Sequence, residues 1–255
     1  MNLLFIGDVV GKIGCDFLRR KLPMLKRNLG ADITIVNGEN SADGNGISPD
    51  SADAIFGAGA DIITTGNHVY RQRSVYHYLD TTPYIIRPAN YPKDNPGRGY
   101  CLYDMGRYTL AVVNLMGTAF MEPLANPFET IDAILKGIDT KLIFVDLHAE
   151  ATSEKLAMAY YLDGRVSALI GTHTHVQTAD TSVFSGGMGY LTDVGMTGPA
   201  SSVLGVSPEI VIAKFRQNMP MRFETAHGDC CLCGVVMTID ENTGKTQKIE
   251  SLRVD

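Results

Sequence analysis

Polar side chains that can bind a metal ion or carry a proton follow five of the apolar runs in the sequence. The stretch SALIGTHTHVQTAD, residues 167 to 180, places His173 and His175 directly after such a run. In an extended segment, side chains two residues apart point to the same face, so we expect both imidazoles to converge on one point. Metal binding is the chemistry that this spacing favours, because imidazole is a common metal ligand. A polar loop that closes a strand is the alternative interpretation.

The other candidate residues also stand where an apolar run ends. They are Asp8, Glu39, Asn40, Asn67, His68 and His148. Ligands of open α/β sheets bind beyond the carboxyl ends of the strands, so these loops should share one edge of a sheet. Each residue alone could be a helix cap, a turn residue or a solvated charge. Four of the six histidines nevertheless fall in these loops, and the set as a whole predicts a metal site.

The number and type of the donors indicate two metal ions. The candidate ligands exceed the four of a closed zinc site, and they are Asp8, Glu39, Asn40, Asn67, His148, His173 and His175. Imidazole, carboxylate and amide donors without thiolate favour iron, manganese, zinc or nickel over calcium or magnesium. Two ions about 3.5–4 Å apart can share a hydroxide and hold a phosphoryl group during in-line displacement. His68 is then the expected acid that protonates the leaving oxygen.

The elements that must position these residues alternate between strand-like and helical patterns. Amphipathic stretches separate strand-like runs at 2–7, 32–38, 61–66, 110–117, 141–148 and 166–171. This alternation predicts a mainly parallel, buried sheet with helices on its faces. We expect Pro23 to kink or divide the helix at 15–30 and Ser48 to cap the helix that follows it. A helix is also expected at 71–79.

Two hairpins indicate a second sheet with antiparallel strands. One is predicted to turn near Met105, Gly106 and Arg107, and the other to turn within ENTG at 241–244. We find no repeat or linker, so residues 1–255 are expected to form a single domain. The Gly- and Ser-rich segment 194–206 is interpreted as a long surface loop that could lie over the active site.

Composition limits the partners. The net charge is −6 and no Lys/Arg run is present, which disfavours a long nucleic-acid duplex but not a small anionic substrate. The first residues lack a basic leader and their apolar run ends at Asp8, so we expect neither a signal peptide nor a membrane span, and a cytoplasmic location. Cys230, Cys231 and Cys233 are interpreted as buried thiols of a strand, with a soft-metal site as the alternative.

The motifs GDVVG, NGEN, GNH, LHAE and GTHTHVQTAD, in this order and at these separations, resemble those of the YmdB-like branch of the calcineurin-type metallophosphoesterases. The resemblance extends from Met1 to the C-terminus. It implies an α/β sandwich of two mixed β-sheets flanked by helices, with a dinuclear metal centre at the strand ends. One ion would be bound by Asp8, Glu39, Asn40 and His175. The other would be bound by Glu39, Asn67, His148 and His173.

The resemblance also implies an activity. The branch is associated with phosphodiesterases of small substrates, notably 2′,3′-cyclic nucleotides, and often with iron or manganese. A hydroxide shared by both metals would attack phosphorus, and His68 would donate the proton. The sequence departs from the wider superfamily at Val10, where a histidine is usual, and at Val69, where an acidic residue is usual. The group that orients His68 must therefore come from elsewhere.

Other functions remain open from the sequence. A phosphomonoesterase is one, and a regulatory metalloprotein that binds a cyclic nucleotide or a protein partner with slow hydrolysis is another. A purely structural metal site is the least favoured, and a homo-oligomer is possible. Tyr70, Tyr76 and Tyr78 could stack a base, but packing is favoured at their helical spacing. The sequence contains no P-loop and no nucleophile elbow.

Overall fold

Two β-sheets lie face to face, with helices on their outer surfaces. The computed structural model describes residues 1–255. In chain order the elements are β1 (Asn2–Ile6), β2 (Asp8–Val9), α1 (Gly11–Leu29), β3 (Ile33–Asn37), α2 (Pro49–Ala58), β4 (Ile62–Thr64), α3 (Val75–Thr81), β5 (Tyr100–Asp104), β6 (Thr109–Met116), α4 (Pro127–Leu135), β7 (Leu142–His148), α5 (Thr152–Leu162), β8 (Ala168–Thr172), β9 (Ser182–Val183), β10 (Gly189–Leu191), β11 (Met196–Pro199), α6 (Pro208–Gln217), β12 (Cys230–Ile239) and β13 (Thr246–Val254).

The first sheet has the strand order β2-β11-β12-β1-β3-β4, and β13 pairs with β12. Strands β1, β3 and β4 run parallel, whereas β12 is antiparallel to β1, β11 and β13. The second sheet has the order β5-β6-β7-β8-β10-β9. Its four central strands are parallel, and its two edge strands are antiparallel. Both predicted hairpins, β5–β6 and β12–β13, are confirmed, as is the prediction of two mixed sheets.

Alternation along β1 explains how the first sheet is buried on both faces. Leu3 and Phe5 point into the core between the sheets, while Leu4 and Ile6 belong to the core under α1 and α2. The rings of Phe5 and Phe144 lie 4.9 Å apart across the inter-sheet core. A third apolar cluster lies under α4 and α5 on the outer face of the second sheet. Strands covered on both faces read as continuous apolar runs, which is the pattern seen in the sequence.

Several predicted elements are confirmed in detail. Ser48 caps α2 and accepts a hydrogen bond from the backbone N–H of Ser51, in a reciprocal capping box. Cys230, Cys231 and Cys233 are free, buried residues of β12. Tyr70 packs edge-on against Tyr76, as the packing interpretation expects. None of the six helices combines the length and the apolarity needed to cross a membrane.

Three predictions about boundaries are wrong. Pro23 does not divide α1, which is continuous from Gly11 to Leu29, because buried Leu18 and Leu22 hold that part of the helix against the sheet. The helix expected at 71–79 starts only at Val75, because the preceding residues form turns that leave the end of β4. The segment 194–206 is not all surface loop: its residues 196–199 form the buried strand β11, paired with β2 and β12.

Candidate metal centre

All eight residues singled out at the strand ends form one continuous cluster. Each of them is joined to another by a contact of 3.3 Å or less. The cluster lies at the carboxyl ends of β3 and β4 in the first sheet and of β7 and β8 in the second, and β2 adds Asp8. The prediction that these loops share one edge is therefore confirmed, and that edge extends across both sheets.

The turn after β8 carries two of the candidates in an unusual backbone conformation. The φ angles are +100° at His173 and +65° at His175, so the segment is not extended as predicted. Residues other than glycine rarely adopt positive φ, at a cost of about 1–3 kcal/mol each, and such residues cluster at functional sites. The turn replaces the extended strand because β8 already ends at Thr172. Both imidazoles still reach the cluster.

One half of the cluster surrounds the Nε2 atom of His148, a fully buried residue. Asn67 Oδ1 lies 3.0 Å from this nitrogen, His173 Nδ1 3.1 Å and Glu39 Oε1 3.3 Å. Gly66 makes this approach possible, because a Cβ at that position would overlap with His148 and Glu39. Glu39, His148 and His173 could hold a metal ion, since one ligand atom of each lies within 4.8 Å of the others.

Hydrogen bonding fixes the orientation of the His148 ring. The Thr172 hydroxyl donates its proton to Asp146 Oδ1 at 2.8 Å. Its oxygen must therefore accept the hydrogen bond from His148 Nδ1, 2.9 Å away. Nε2, the nitrogen that can bind a metal ion, consequently faces Asn67, Glu39 and His173. Such outer partners set the tautomer and the orientation of metal-binding histidines.

The other half of the cluster contains Asp8, Asn40 and His175. The carbonyl oxygen of Leu204 can only accept, so His175 donates from Nδ1 at 3.0 Å, and its Nε2 lies 3.2 Å from Asp8 Oδ2. Asp8 is fully buried, and neither carboxylate oxygen has a hydrogen-bond partner. Burial opposes protonation of His175, but Asp8 raises its pKa. A buried carboxylate needs a cation beside it, and that cation is either the protonated imidazole or a metal ion bound by both side chains. The residues present therefore fit a metal ion.

His68 is oriented by the residue next to Glu39. Asn40 Nδ2 donates to Glu39 Oε1 at 2.9 Å, which leaves Asn40 Oδ1 to accept from His68 Nδ1 at 2.9 Å. The backbone N–H of His68 also donates to Glu39 Oε2 at 3.0 Å. His68 Nε2 makes no hydrogen bond within the protein, and the side chain is 29% exposed. Asn40 is thus the orienting partner that the sequence did not identify, while its role as a metal ligand stays a prediction.

Local charges shift the protonation of the candidate ligands in different directions. Burial favours the neutral acid of Glu39, but the imidazoles of His148 and His68 outweigh it and hold the pKa of Glu39 well below its usual range. Burial, followed by the charge of His148, lowers the pKa of His173 to about 3. Burial also opposes protonation of His148, but Glu39 and the other nearby carboxylates raise its pKa to about 9. A metal ion and a proton therefore compete for His148 Nε2.

A cavity of about 630 Å³ opens beside His68 and His175. Its walls include two cations, Arg71 and Arg222, two acidic residues, Asp43 and Glu224, and the half-exposed ring of Phe223. Lys214 Nζ lies 4.5 Å from the centre of that ring. Sequence analysis missed these wall residues. Arg222 and Phe223 precede β12, far along the chain from every motif, and only the fold brings them to the strand ends.

The two-sheet sandwich with a donor cluster at its strand ends defines a protein of the metallophosphoesterase type. The family model described as YmdB-like protein matches residues 4–252, and the chain belongs to this family. A 2′,3′-cyclic-nucleotide 2′-phosphodiesterase from Bacillus subtilis (strain 168) is 45% identical over 257 residues, which cover 100% of this chain and 97% of the relative.

Solved structures agree with the fold. The crystal structure of a phosphatase from Mycoplasma pneumoniae is similar with a TM-score of 0.95 at 36% identity, and the match covers 100% of this chain and 93% of that chain. A Staphylococcus aureus protein assigned to the 5′-nucleotidases is similar with a TM-score of 0.62 at 17% identity, over 99% of this chain and 54% of that chain. The second likeness supports the fold class alone.

Thr172→Val should weaken metal binding without changing any candidate ligand. The substitution removes the hydroxyl that holds His148 Nδ1, and loss of such a partner typically lowers metal affinity by about 10–100-fold. Isothermal titration calorimetry with Mn²⁺ measures the change in metal affinity. Thr238→Val is the matched control, because Thr238 makes one side-chain hydrogen bond in β12, to Asn2. Unchanged affinity in folded Thr172→Val protein would contradict the orienting role.

Proposed function

We propose that this chain is a metal-dependent phosphodiesterase of small phosphodiesters, 2′,3′-cyclic nucleotides foremost, and that residues 1–255 act as one catalytic domain. The observation that carries the proposal is the meeting of donors from both sheets around Glu39, with His68 at the rim of an open cavity. The name of the Bacillus subtilis relative supports the choice of substrate. Cytoplasmic location and a homo-oligomer stay predictions from the sequence.

The metal ligands fall into two sets that share one carboxylate. Asp8, Glu39, Asn40 and His175 would hold one ion, and Glu39, Asn67, His148 and His173 the other. The contacts within each half of the cluster and the ionised state of Glu39 support this assignment. Iron or manganese is the proposed metal, with zinc or nickel as alternatives. When bound, two such ions stabilise charge on a phosphoryl group and increase the acidity of the attacking water.

His68 would deliver the proton to the leaving oxygen. Asn40 Oδ1 engages Nδ1, so Nε2 is the nitrogen that can face a substrate in the cavity. The bond from the His68 backbone N–H to Glu39 ties the position of the ring to the shared carboxylate. A proton donor held in this way by neighbouring groups typically contributes about 10²–10⁴-fold to the rate.

The cavity fits the nucleoside part of a cyclic nucleotide. Its volume, about 630 Å³, lies within the range of roughly 300–1,000 Å³ usual for small-molecule sites. Phe223 offers an aromatic ring on which a base can stack. Arg71 and Arg222 supply positive charge beside His68, where an anionic phosphodiester would bind.

The first test compares diester and monoester hydrolysis. Mn²⁺- or Fe²⁺-loaded protein should hydrolyse 2′,3′-cyclic AMP and bis-p-nitrophenyl phosphate in preference to p-nitrophenyl phosphate. His68→Ala should lose about 10²–10⁴-fold in kcat for the diesters while keeping its metal content, and His77→Ala, an exposed histidine of α3, should lose nothing.

Three other outcomes of this test would point elsewhere. Full activity of His68→Ala at normal metal content would exclude His68 as the donor. Preference for the monoester would favour a phosphomonoesterase. Tight binding of the cyclic nucleotide without turnover by metal-loaded protein would favour a regulatory metalloprotein.

Phe223→Ala should raise KM for 2′,3′-cyclic AMP with little change in kcat. Stacking of a base on an aromatic side chain is worth about 1–3 kcal/mol, which corresponds to roughly 5–150-fold in KM. Ribose 2,3-cyclic phosphate, which has no base, should show no such difference between the wild-type and variant proteins. Phe215→Ala in α6 is the matched control, because its ring is exposed and does not line the cavity. An equal loss for both substrates would contradict stacking.

A further inference from the structure

A buried ion pair lies behind the metal centre and belongs to neither ligand set. Lys155 Nζ of α5 and Asp193 Oδ2 are 2.8 Å apart, and both residues are fully buried. The contact with Asp193 is the one side-chain hydrogen bond of the ammonium group. A buried ion pair usually stabilises a protein no better than apolar side chains of similar volume. Its presence here therefore calls for an explanation other than stability.

Asp193 is bonded to the turn that carries two of the candidate ligands. Oδ2, the oxygen paired with Lys155, also accepts from the backbone N–H of Thr174 at 3.0 Å. Oδ1 accepts from the backbone N–H of Gly195 at 2.9 Å. The backbone of Asp193 bonds to Thr178 in both directions, through a donor at 2.9 Å and an acceptor at 3.0 Å. The carboxylate of Asp193 thus holds the turn at its centre, and the backbone of Asp193 holds the chain just beyond it.

The turn needs this support because its backbone conformation is unfavourable by itself. Thr174 lies between His173 and His175, both at positive φ. Its N–H is held by a carboxylate whose position Lys155 fixes from α5. Gly171 lets the lysine side chain pass, because a Cβ there would collide with the Lys155 side chain and the Thr192 carbonyl. α5, β8 and the end of β10 therefore meet at this pair.

We propose that the Lys155–Asp193 pair positions His173 and His175 for metal binding. The pair touches neither substrate nor metal, and it acts by holding the Thr174 N–H so that both imidazoles keep their direction. The inference rests on the metal centre of the proposed function. It assigns a positioning role to two residues that lie outside every motif. It also explains why a buried ion pair lies next to the site.

The test replaces both charges at once, so that no unpaired charge stays buried. Lys155→Met/Asp193→Asn should fold but bind Mn²⁺ about 10–100-fold more weakly than wild type, the usual loss when a supporting partner is removed. The visible spectrum of bound Co²⁺ should also change. Lys26→Met/Asp61→Asn is the matched control, because Asp61 Oδ2 likewise accepts from Lys26 and from a backbone N–H, that of Thr34, away from the site. The control should bind metal like wild type.

The outcomes separate this inference from the proposed function. Wild-type protein that binds no metal would overturn the proposed function. Metal-binding wild type together with an unchanged affinity and Co²⁺ spectrum in the Lys155→Met/Asp193→Asn variant would overturn the inference alone. If that variant does not fold, amide exchange in wild type decides: the Thr174 N–H should exchange about tenfold or more slowly than that of Val176, which donates no hydrogen bond. Equal exchange of the two amides would overturn the inference.

Discussion

The carboxylate of Glu39 is the charge around which the rest of the site is built. It is almost completely buried, and an isolated carboxylate in such a place would be very unfavourable. The structure surrounds it instead with partners from three different loops, among them Asn40, His148 and the backbone of His68. The proposed ligands and the proposed proton donor are thereby assembled about one side chain. Displacing that carboxylate would disturb both halves of the site together.

The double-sheet architecture makes this arrangement possible. Glu39 follows a strand of the first sheet and His148 ends a strand of the second, so the shared edge of the sandwich brings them together. Polar residues extend the connection inward: Asn37 of the first sheet donates to Asp146 of the second at 2.9 Å. Asp146 in turn accepts from Thr172, which orients His148. Buried hydrogen bonds as well as apolar packing thus fix the position of one sheet relative to the other. A small shift between the sheets would therefore displace the candidate ligands.

Most of the strands and most of the residues of the candidate site could be predicted from the sequence, because the patterns that indicate them are local. Apolar runs that end in Asp, Glu, Asn or His identify both the buried strands and the edge at which ligands meet. A turn signal such as ENTG identifies a hairpin. What could not be predicted depends on contacts between distant segments. The sequence of β11 is typical of a loop because it contains glycine and proline. Its four residues form a strand because they pair with β2 and β12.

The geometry of the candidate site was harder to predict from the sequence than the residues that form it. The His-x-His spacing suggested an extended strand, whereas positive φ at both histidines produces the same convergence through a turn. The turn depends on Asp193, twenty residues from His173 along the chain, and on Lys155, in a helix whose sequence gives no sign of a buried charge. Asn40 follows a candidate ligand, but only the tertiary structure shows that its oxygen faces His68.

Anomalous X-ray scattering from crystals of manganese- or iron-loaded protein would test the central claim most directly. We expect two peaks per chain with the carboxylate of Glu39 between them, one beside Asp8 and His175 and the other beside His148 and His173. A single peak, or peaks that do not adjoin Glu39, would contradict a dinuclear centre built on this carboxylate.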